Sequence, residues 1–533
     1  MPRTPGHALI TLGLLLVLPL IGCDGDRQPV DVTQFREVRH APDAPTPQEA
    51  ARGGELTIAL MDEATSLDPH RVHDAAAYRV IENLYSSLMR HTDTLGEVEW
   101  DLLSSYQASE DYRIFNLTIR EDAYFHETGR NVTAEDVKYS LERIRDVRGA
   151  SALGPLEEIQ VTGEHALTLH FAEPMTPLIN YLADPMWAIV DRQVVERQPE
   201  QRLERVGAGS GPFRLEERSP GQRTVLVRDE NYYVQGLPYL DRVIYRPIPD
   251  DTSRTVALVR GDVDIVLDVP VSQLGRLQDR DDVILQGTPG TFWEYIGINT
   301  DVSPFDDVRV RQAIAWAVDR DAVNRSVHRG AAQPTYGGFI PPGHWAHLDE
   351  AIYGEPNLER ARTLLAEAGY ADGFATEIIV NADRESQWQA AALIRQMLAG
   401  IGIDATVSRI PAGNFFSRLG NSEFEMTVVG WVGLADPDER LYEIFHSNGP
   451  YNQQNYHSPR VDELLEEARR VDDEQQRGHL YRQAQRIIAE EAPVVFLYLN
   501  EQLSGYRANV QGFEVHPNGT TIFLRETWLQ ERD

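Results

Sequence analysis

Two histidine pairs stand at H-x-x-H spacing, His70 with His73 and His344 with His347. That spacing can offer a metal ion two ligands. Each pair lies beside prolines in a turn with no third ligand in view, so no metal site is assigned. The nearest approach to a nucleophile elbow is GAGSG at 207–211, and its glycines stand at the wrong offsets. H-E-x-x-H, a P-loop and a dinucleotide glycine fingerprint are all missing from the sequence. Cys23 is the only cysteine, so a second thiol for a disulfide or a zinc–thiolate site does not exist. With 83 acidic residues, some carboxylate pair in a cleft is guaranteed and says nothing. Catalytic residues, metal and cofactor are therefore all read as none, and nothing in these motifs carries catalytic chemistry.

One stretch does point to a site. VVGWVGLADPDER at 428–440 is an apolar run that ends in Trp431, glycines and Asp436-Pro437. It reads either as a buried strand closing in a turn or as a strand that delivers Trp431 and Asp436 to the wall of a ligand cleft. The elements around it must decide. ELTIAL at 55–60 alternates like a strand, and the turn residues SLDPH follow. In YRVIENLYSSLM, Val80, Leu84 and Leu88 share one helical face. YRIFNLTI at 112–119 alternates again. Thr133 with Asp136 makes a capping-box start to a helix whose buried stripe is Val137, Leu141 and Ile144. Residues 206–268 are rich in short strands. Helices return at 309–318, from near Asn357 to Gly369, and after Ser458-Pro459, where Ser caps and Pro takes the first turn. Strand and helix alternate without a short repeat, which implies mixed α/β architecture in more than one lobe.

At 533 residues the chain is too long for a single core. Its 50 basic and 83 acidic residues leave a formal charge of −33, and Lys138 is the sole lysine. Such a surface repels phosphate backbones, so nucleic acid is not expected as a partner. The N-terminus carries Arg3 and then ALITLGLLLVLPLI, about the length of a signal-peptide core and short for a membrane span. It ends in Leu20-Ile21-Gly22-Cys23, which resembles a bacterial lipobox. The expectation is a signal peptide over 1–22, lipid on Cys23, and a proline-punctuated tether over 23–52. Asp24 after that cysteine resembles the signal that retains such lipoproteins on the inner membrane.

Eight blocks in order resemble one family, the extracytoplasmic solute-binding proteins of ABC importers, family 5, the oligopeptide-, dipeptide- and nickel-binding class. They include SLDPH, LTIREDAYFHETGRNVTAEDVKYSLERI, GSGPF, NYYVQGLPYLDRVIY, YIGINTDVSPFDDVRVRQAIAWAVDRDAV, LERARTLLAEAGY, GWVGLADPDERLY and NYHSPRVDELLEEA. The resemblance implies a two-lobed α/β periplasmic-binding-protein fold of type II, with an extra domain inserted in the first lobe. It places the first lobe at 53–75, 190–278 and 505–533, the extra domain at 76–189, and the second lobe at 279–504. It implies a monomeric receptor, anchored at the periplasmic face, that closes on an oligopeptide or similar polar solute and hands it to the permease. An exported hydrolase, or a sensor or chaperone without an importer, is the alternative. By position the resemblance also offers wall residues: His73, Asp74 and Ala75 after SLDPH, Trp293 and Tyr295 before GIN, Trp431, Asp436, and Arg418 for a ligand carboxylate. The family's usual aspartate three residues past the tryptophan is Leu434 here, so the amine anchor of a peptide is missing from its usual place.

Overall fold

The computed structural model describes residues 50–530 except 73, 198–202, 204–205 and 432–435. The leader, Cys23, most of the tether, His73 and Leu434 therefore lie outside the described residues.

An eleven-stranded sheet runs through the molecule. From one edge its order is Phe213–Ser219, Arg223–Arg228, Arg242–Pro247, Glu55–Leu60, Ile265–Val266, Val494–Arg507, Val283–Ile298, Met426–Trp431, Phe374–Asn381 and Ile403–Ile410, with Gln333–Pro334 beside Val494–Arg507. Two long strands carry the sheet from one lobe into the other. Val283–Ile298 pairs with Val494–Arg507 from Val283↔Arg507 to Pro289↔Glu501, loses register, and resumes at Trp293↔Leu499. The break has a local cause. Pro289 has no N–H to give the ladder, and a Cβ on Gly290 would lie 2.6 Å from the Asn500 carbonyl oxygen. Thr291 N–H instead donates to the Pro517 carbonyl at 3.0 Å. Sheet pairing on either side of 289–293 and 499–501 thus belongs to different halves.

Each half buries apolar residues on both sheet faces, as parallel strands require. One first-lobe core gathers Leu56, Ile58, Val80, Leu84, Val243 and Ile265, and Ala59, Leu258 and Val266 cover the opposite face. In the second lobe Ile296, Ile314, Ile378 and Val428 form one core, with Tyr295, Phe445, Tyr481 and Phe496 in the other. A further core holds Phe115, Leu117, Val137, Leu141, Ile144 and Leu169. It lies between the helix Ala134–Arg148 and an antiparallel sheet of Leu103–Ala108, Ile114–Ile119, Ala166–Phe171 and Leu156–Gly163. Strict alternation along Ile114–Ile119 and the Thr133/Asp136 capping box both appear as the sequence implies.

Leu88 does not share a helix with Val80 and Leu84. The helix Ala75–Leu84 stops there because Tyr85 is extended and the Leu84 carbonyl takes the Gly211 N–H at 3.0 Å. The glycines of GSGPF exist for this approach. A Cβ on Gly209 would stand 2.1 Å from the Leu84 carbonyl oxygen, and one on Gly211 would stand 2.7 Å from the Leu84 carbonyl carbon.

Candidate functional site

Strand polarity locates the cleft. In the first lobe Glu55–Leu60 runs parallel to Arg242–Pro247 and Ile265–Val266, and the last of these is antiparallel to Val494–Arg507. Its carboxyl end therefore faces the 499–501 break. In the second lobe Met426–Trp431 is antiparallel to Val283–Ile298 and parallel to Phe374–Asn381, so Trp431 pairs with Trp293 at the same break. The carboxyl ends of both parallel sets meet there, and loops at such ends are where open α/β sheets bind ligands. On the second-lobe side these loops start at Trp431 and Asn381. On the first-lobe side they are 61–74, 248–250 and 267–270.

Trp431 is half-buried at the end of its strand. Its Nε1–H donates to the Tyr295 hydroxyl at 3.0 Å, and the Tyr451 ring lies 4.9 Å away at 45°. The Arg440 guanidinium sits 5.5 Å from the Trp431 ring centroid, within cation–π range. Tyr451 is 41% exposed. Burial and the Glu443 carboxylate push its phenol above the ordinary value, while Arg440 and Arg148 pull it back. Glu443 itself is pushed up to about 7, first by burial, with Arg440 opposing and Glu439 and Asp438 adding to the rise. Trp293 and Tyr295 share one face, as alternation requires, and that face is core: they stack at 4.6 Å, and Trp293 also stacks on Phe339 at 4.3 Å. They form the floor under Trp431. The Trp293 Nε1–H is buried without a hydrogen-bond partner among the described residues.

The facing wall is built from the SLDPH loop and the helix after it. Asp74 caps that helix, with Oδ1 accepting from Ala77 N–H at 2.8 Å and Oδ2 from the Thr65 hydroxyl. Ala75 is exposed in the first helical turn. Arg148, the last residue of Ala134–Arg148, donates through Nε to the His70 carbonyl at 2.9 Å and through Nη2 to the Tyr78 hydroxyl at 3.4 Å. Burial and Asp184 raise the Tyr78 phenol to about 12 against the pull of Arg148. Asp68 and His70 serve the framework. Asp68 receives both terminal nitrogens of Arg143, and His70 accepts from Arg143 Nη1 through Nδ1 at 2.8 Å while Nε2 faces the Ala188 carbonyl at 3.0 Å. Full burial and Arg143 hold the His70 imidazole near 4, so it stays neutral. His344 and His347 do not converge: Ala346 N–H donates to His344 Nδ1, and His347 Nδ1 faces the Ile340 carbonyl.

Asp436 is fully buried and its carboxylate is occupied. It caps the helix Pro437–Phe445 through Asp438 N–H at 3.0 Å, takes Arg477 Nη1 and Nη2 at 3.0 and 2.7 Å, and accepts Asn180 Nδ2 at 2.7 Å. Arg418 is held elsewhere, by Glu377 at 3.1 Å and the Glu423 carbonyl at 3.0 Å. Glu377 lies in mid-strand, before the carboxyl end that reaches the cleft. Asp74, Ala75 and Trp431 thus lie at the converging carboxyl edges of the two strand sets, Trp293 and Tyr295 lie in the core beside Trp431, and Arg418 is held apart from them.

Sequence reasoning missed Tyr78, Arg148, Arg440 and Tyr451, none of which carries a spacing signal linking it to Trp431. It also missed Asp268, at the end of Ile265–Val266, which has φ +55° and a two-pronged pair with Arg79 at 2.6 and 3.0 Å.

Among known proteins, the glutathione-binding protein GsiB of Salmonella typhi is 28% identical over 481 residues, covering 87% of this chain and 92% of that protein. The periplasmic binding protein DppA of Helicobacter pylori, solved with peptide STSA, superposes with a TM-score of 0.78 at 26% identity, over 90% of this chain and 99% of that one. AgaA of A. tumefaciens R10, solved with agropinic acid, gives a TM-score of 0.78 at 28% identity, over 90% and 99%. These likenesses fit the type II, two-lobed α/β architecture built above. Residues 97–452 match the bacterial extracellular solute-binding proteins, family 5, and the chain belongs to that family.

Proposed function

We propose that this protein is the lipid-anchored substrate-binding subunit of an ABC importer, capturing a short peptide or a peptide-like polar solute between its lobes and delivering it to the permease. The observation that carries the reading is the convergence of both sets of strand carboxyl ends at one break in the two connecting strands. A site between two bodies joined by such strands suits capture by hinge closure. Trp431 and Tyr451 offer flat apolar area at low entropic cost. Arg440, paired with Glu439 at 2.7 Å and Glu443 at 2.8 Å, and Arg148 put charge of both signs beside them, suited to a solute's carboxylate and, more weakly because the carboxylates are already engaged, to its amine. Solutes carrying both groups, such as glutathione, short peptides and opine-like conjugates, match that lining and the ligands named for the relatives. The usual anchor for a peptide amine is replaced by Leu434, so the amine is expected to contribute little.

Thermal melting against reduced glutathione, N-acetylated peptides and their free-amine counterparts tests this. A true ligand raises the melting temperature by mass action, and N-acetylation is expected to leave that rise nearly intact. A hundredfold loss on acetylation would assign the amine to a carboxylate of the cleft, with Asp74 the first to replace. The anchor has its own test: Cys23→Ser should release the protein from membranes and abolish lipid labelling. Unchanged membrane association would remove the anchor from the account.

A further inference from the structure

Short segments of the core built on Ala134–Arg148 touch the second lobe without passing through the first. Leu178 and Leu182 belong to that core, whereas Leu441, Ile444 and Phe445 belong to a second-lobe core. Between them, Asn180 Nδ2 donates to Asp436 Oδ2 at 2.7 Å and the Tyr181 hydroxyl donates to Asp438 Oδ2 at 3.1 Å. Thr176 donates from its hydroxyl to the Arg469 carbonyl at 2.6 Å. On the same side the Asp472 side chain pushes the Tyr112 phenol upward.

The two aspartates are prepared for this role. Both are fully buried. Asp436 is matched by Arg477, and Asp438 takes Arg469 Nε and Nη2, each at 2.8 Å. Each carboxylate is thus neutralised inside its own lobe by a two-pronged arginine, which fixes its plane. Each then spends an oxygen on a neutral donor of the other body. Opening the cleft would strip Asn180 and Tyr181 from these oxygens while leaving both ion pairs whole. The cost of opening is set by the cross-body bonds, and lobe stability is set separately.

We propose that Asp436 and Asp438, with Asn180 and Tyr181, form a latch that holds the lobes closed through protein contacts alone, so that they position the closed state without touching solute. The proposal rests on the reading of the two halves as lobes that open and close. It makes the inserted domain part of the closing mechanism, because the latch spans from that domain to the second lobe. It also predicts that affinity is tuned at a place no solute reaches: weakening the latch lowers the closed fraction, and apparent affinity falls in proportion.

The test measures the distance between spin labels on opposite edges of the sheet, at Gln222→Cys and Thr406→Cys in the full chain carrying Cys23→Ser. Both positions are exposed. With no solute added, the chain with an intact latch should give a predominantly closed distance. Asn180→Ala with Tyr181→Phe should lower the closed-to-open ratio about tenfold or more, the scale of losing one hydrogen bond to a charged group. Melting temperature should hold, since neither side chain serves the ion pairs. Identical distance distributions in the two chains overturn the latch, whether both are open or both closed. A fall in melting temperature without a shift in distance also overturns it, because it assigns the residues a structural role only. If the double variant does not fold, Tyr181→Phe alone, which keeps the ring stacked on Trp187, must shift the distribution the same way, and no shift overturns the proposal. Adding reduced glutathione is a separate arm. A latch-dependent distance with no response to glutathione or peptides supports the latch and counts against the solute reading alone.

Discussion

Two tryptophans face each other across one rung of the sheet and do different work. Trp293 is 1% exposed and stacked among Tyr295 and Phe339, so Trp293→Ala should cost ~3–5 kcal/mol of stability, the scale of emptying a large aromatic site. Trp431 is half-buried and ends its strand where the proposed cleft opens. Trp431→Ala should weaken solute binding by roughly 1–3 kcal/mol, the loss of one aromatic anchor, with a smaller change in unfolding free energy. Chemical denaturation and calorimetric titration of both variants separate the roles; if Trp431→Ala unfolds the protein while the folded remainder binds normally, Trp431 is core. Asp436 makes a sharper case. Arg477→Met would strand its buried carboxylate without a counter-charge, which should cost about 3–5 kcal/mol of stability; a cost below 1 kcal/mol in denaturant titration would show that the pair is not desolvated. Sequence could pick out Trp431, because an aromatic at the end of an apolar run beside Asp-Pro is visible locally. It could not show that Asp436 was occupied, because Arg477 and Asn180 lie far away along the chain.

At the scale of elements, backbone approach governs what sequence alone left as a motif. The GSGPF glycines are read by their offsets as unsuited to a nucleophile elbow, and their physical task is to let one backbone cross the end of the helix Ala75–Leu84. Gly209→Ala would drive a methyl into the Leu84 carbonyl, so strain must open that crossing. The expected outcome is a marked loss of stability, at the upper end of the 1–3 kcal/mol typical of overpacking, seen as a lower denaturation midpoint. A neutral Gly209→Ala would mean the crossing is loose. Helix starts at Thr133 and Asn357 were legible because capping is written in neighbouring residues; the start after Ser458 holds through Pro459 in the first turn, while the Ser458 side chain makes no cap bond. The stop at Leu84 was not legible, since its cause is Gly211, far ahead in sequence. The register break at 289–293 was likewise illegible: Pro289 and Gly290 look like an ordinary turn until the opposing Asn500 carbonyl is known.

For the whole molecule, buried titratable groups set how stability responds to acid. Burial holds His70, His91, His344 and His516 near 4. An unfolded chain would protonate these rings near their ordinary value of about 6.5. As pH falls from 6.5 to 4 the unfolded state takes up protons that the folded state refuses, so their contribution to stability drops across that window. Asp101, raised by burial to about 6, and Glu443, raised to about 7, act the other way, since the folded state binds their protons first. Six imidazoles, His70, His91, His126, His328, His344 and His516, are held low while six carboxyls, Glu82, Asp101, Asp184, Glu294, Glu443 and Glu526, are held high, so each ring is its own test: those held near 4 are expected to stay neutral by NMR at pH 5.5. A ring among them titrating near 6.5 would contradict its burial. The family and the two-lobed fold could be read from ordered blocks and local pattern. The pairing of Arg148 with Tyr78 on the facing wall could not, because the two residues lie 70 positions apart and belong to different elements.

The central claim is that a small polar solute is held between the lobes. Native mass spectrometry of the purified protein, mixed with reduced glutathione and a set of di- to pentapeptides, tests it most directly. The account predicts a one-to-one complex with at least one of these solutes, lost on denaturation and weakened by Trp431→Ala. A protein that shows only its own mass with every solute in the set, while remaining folded, would contradict it.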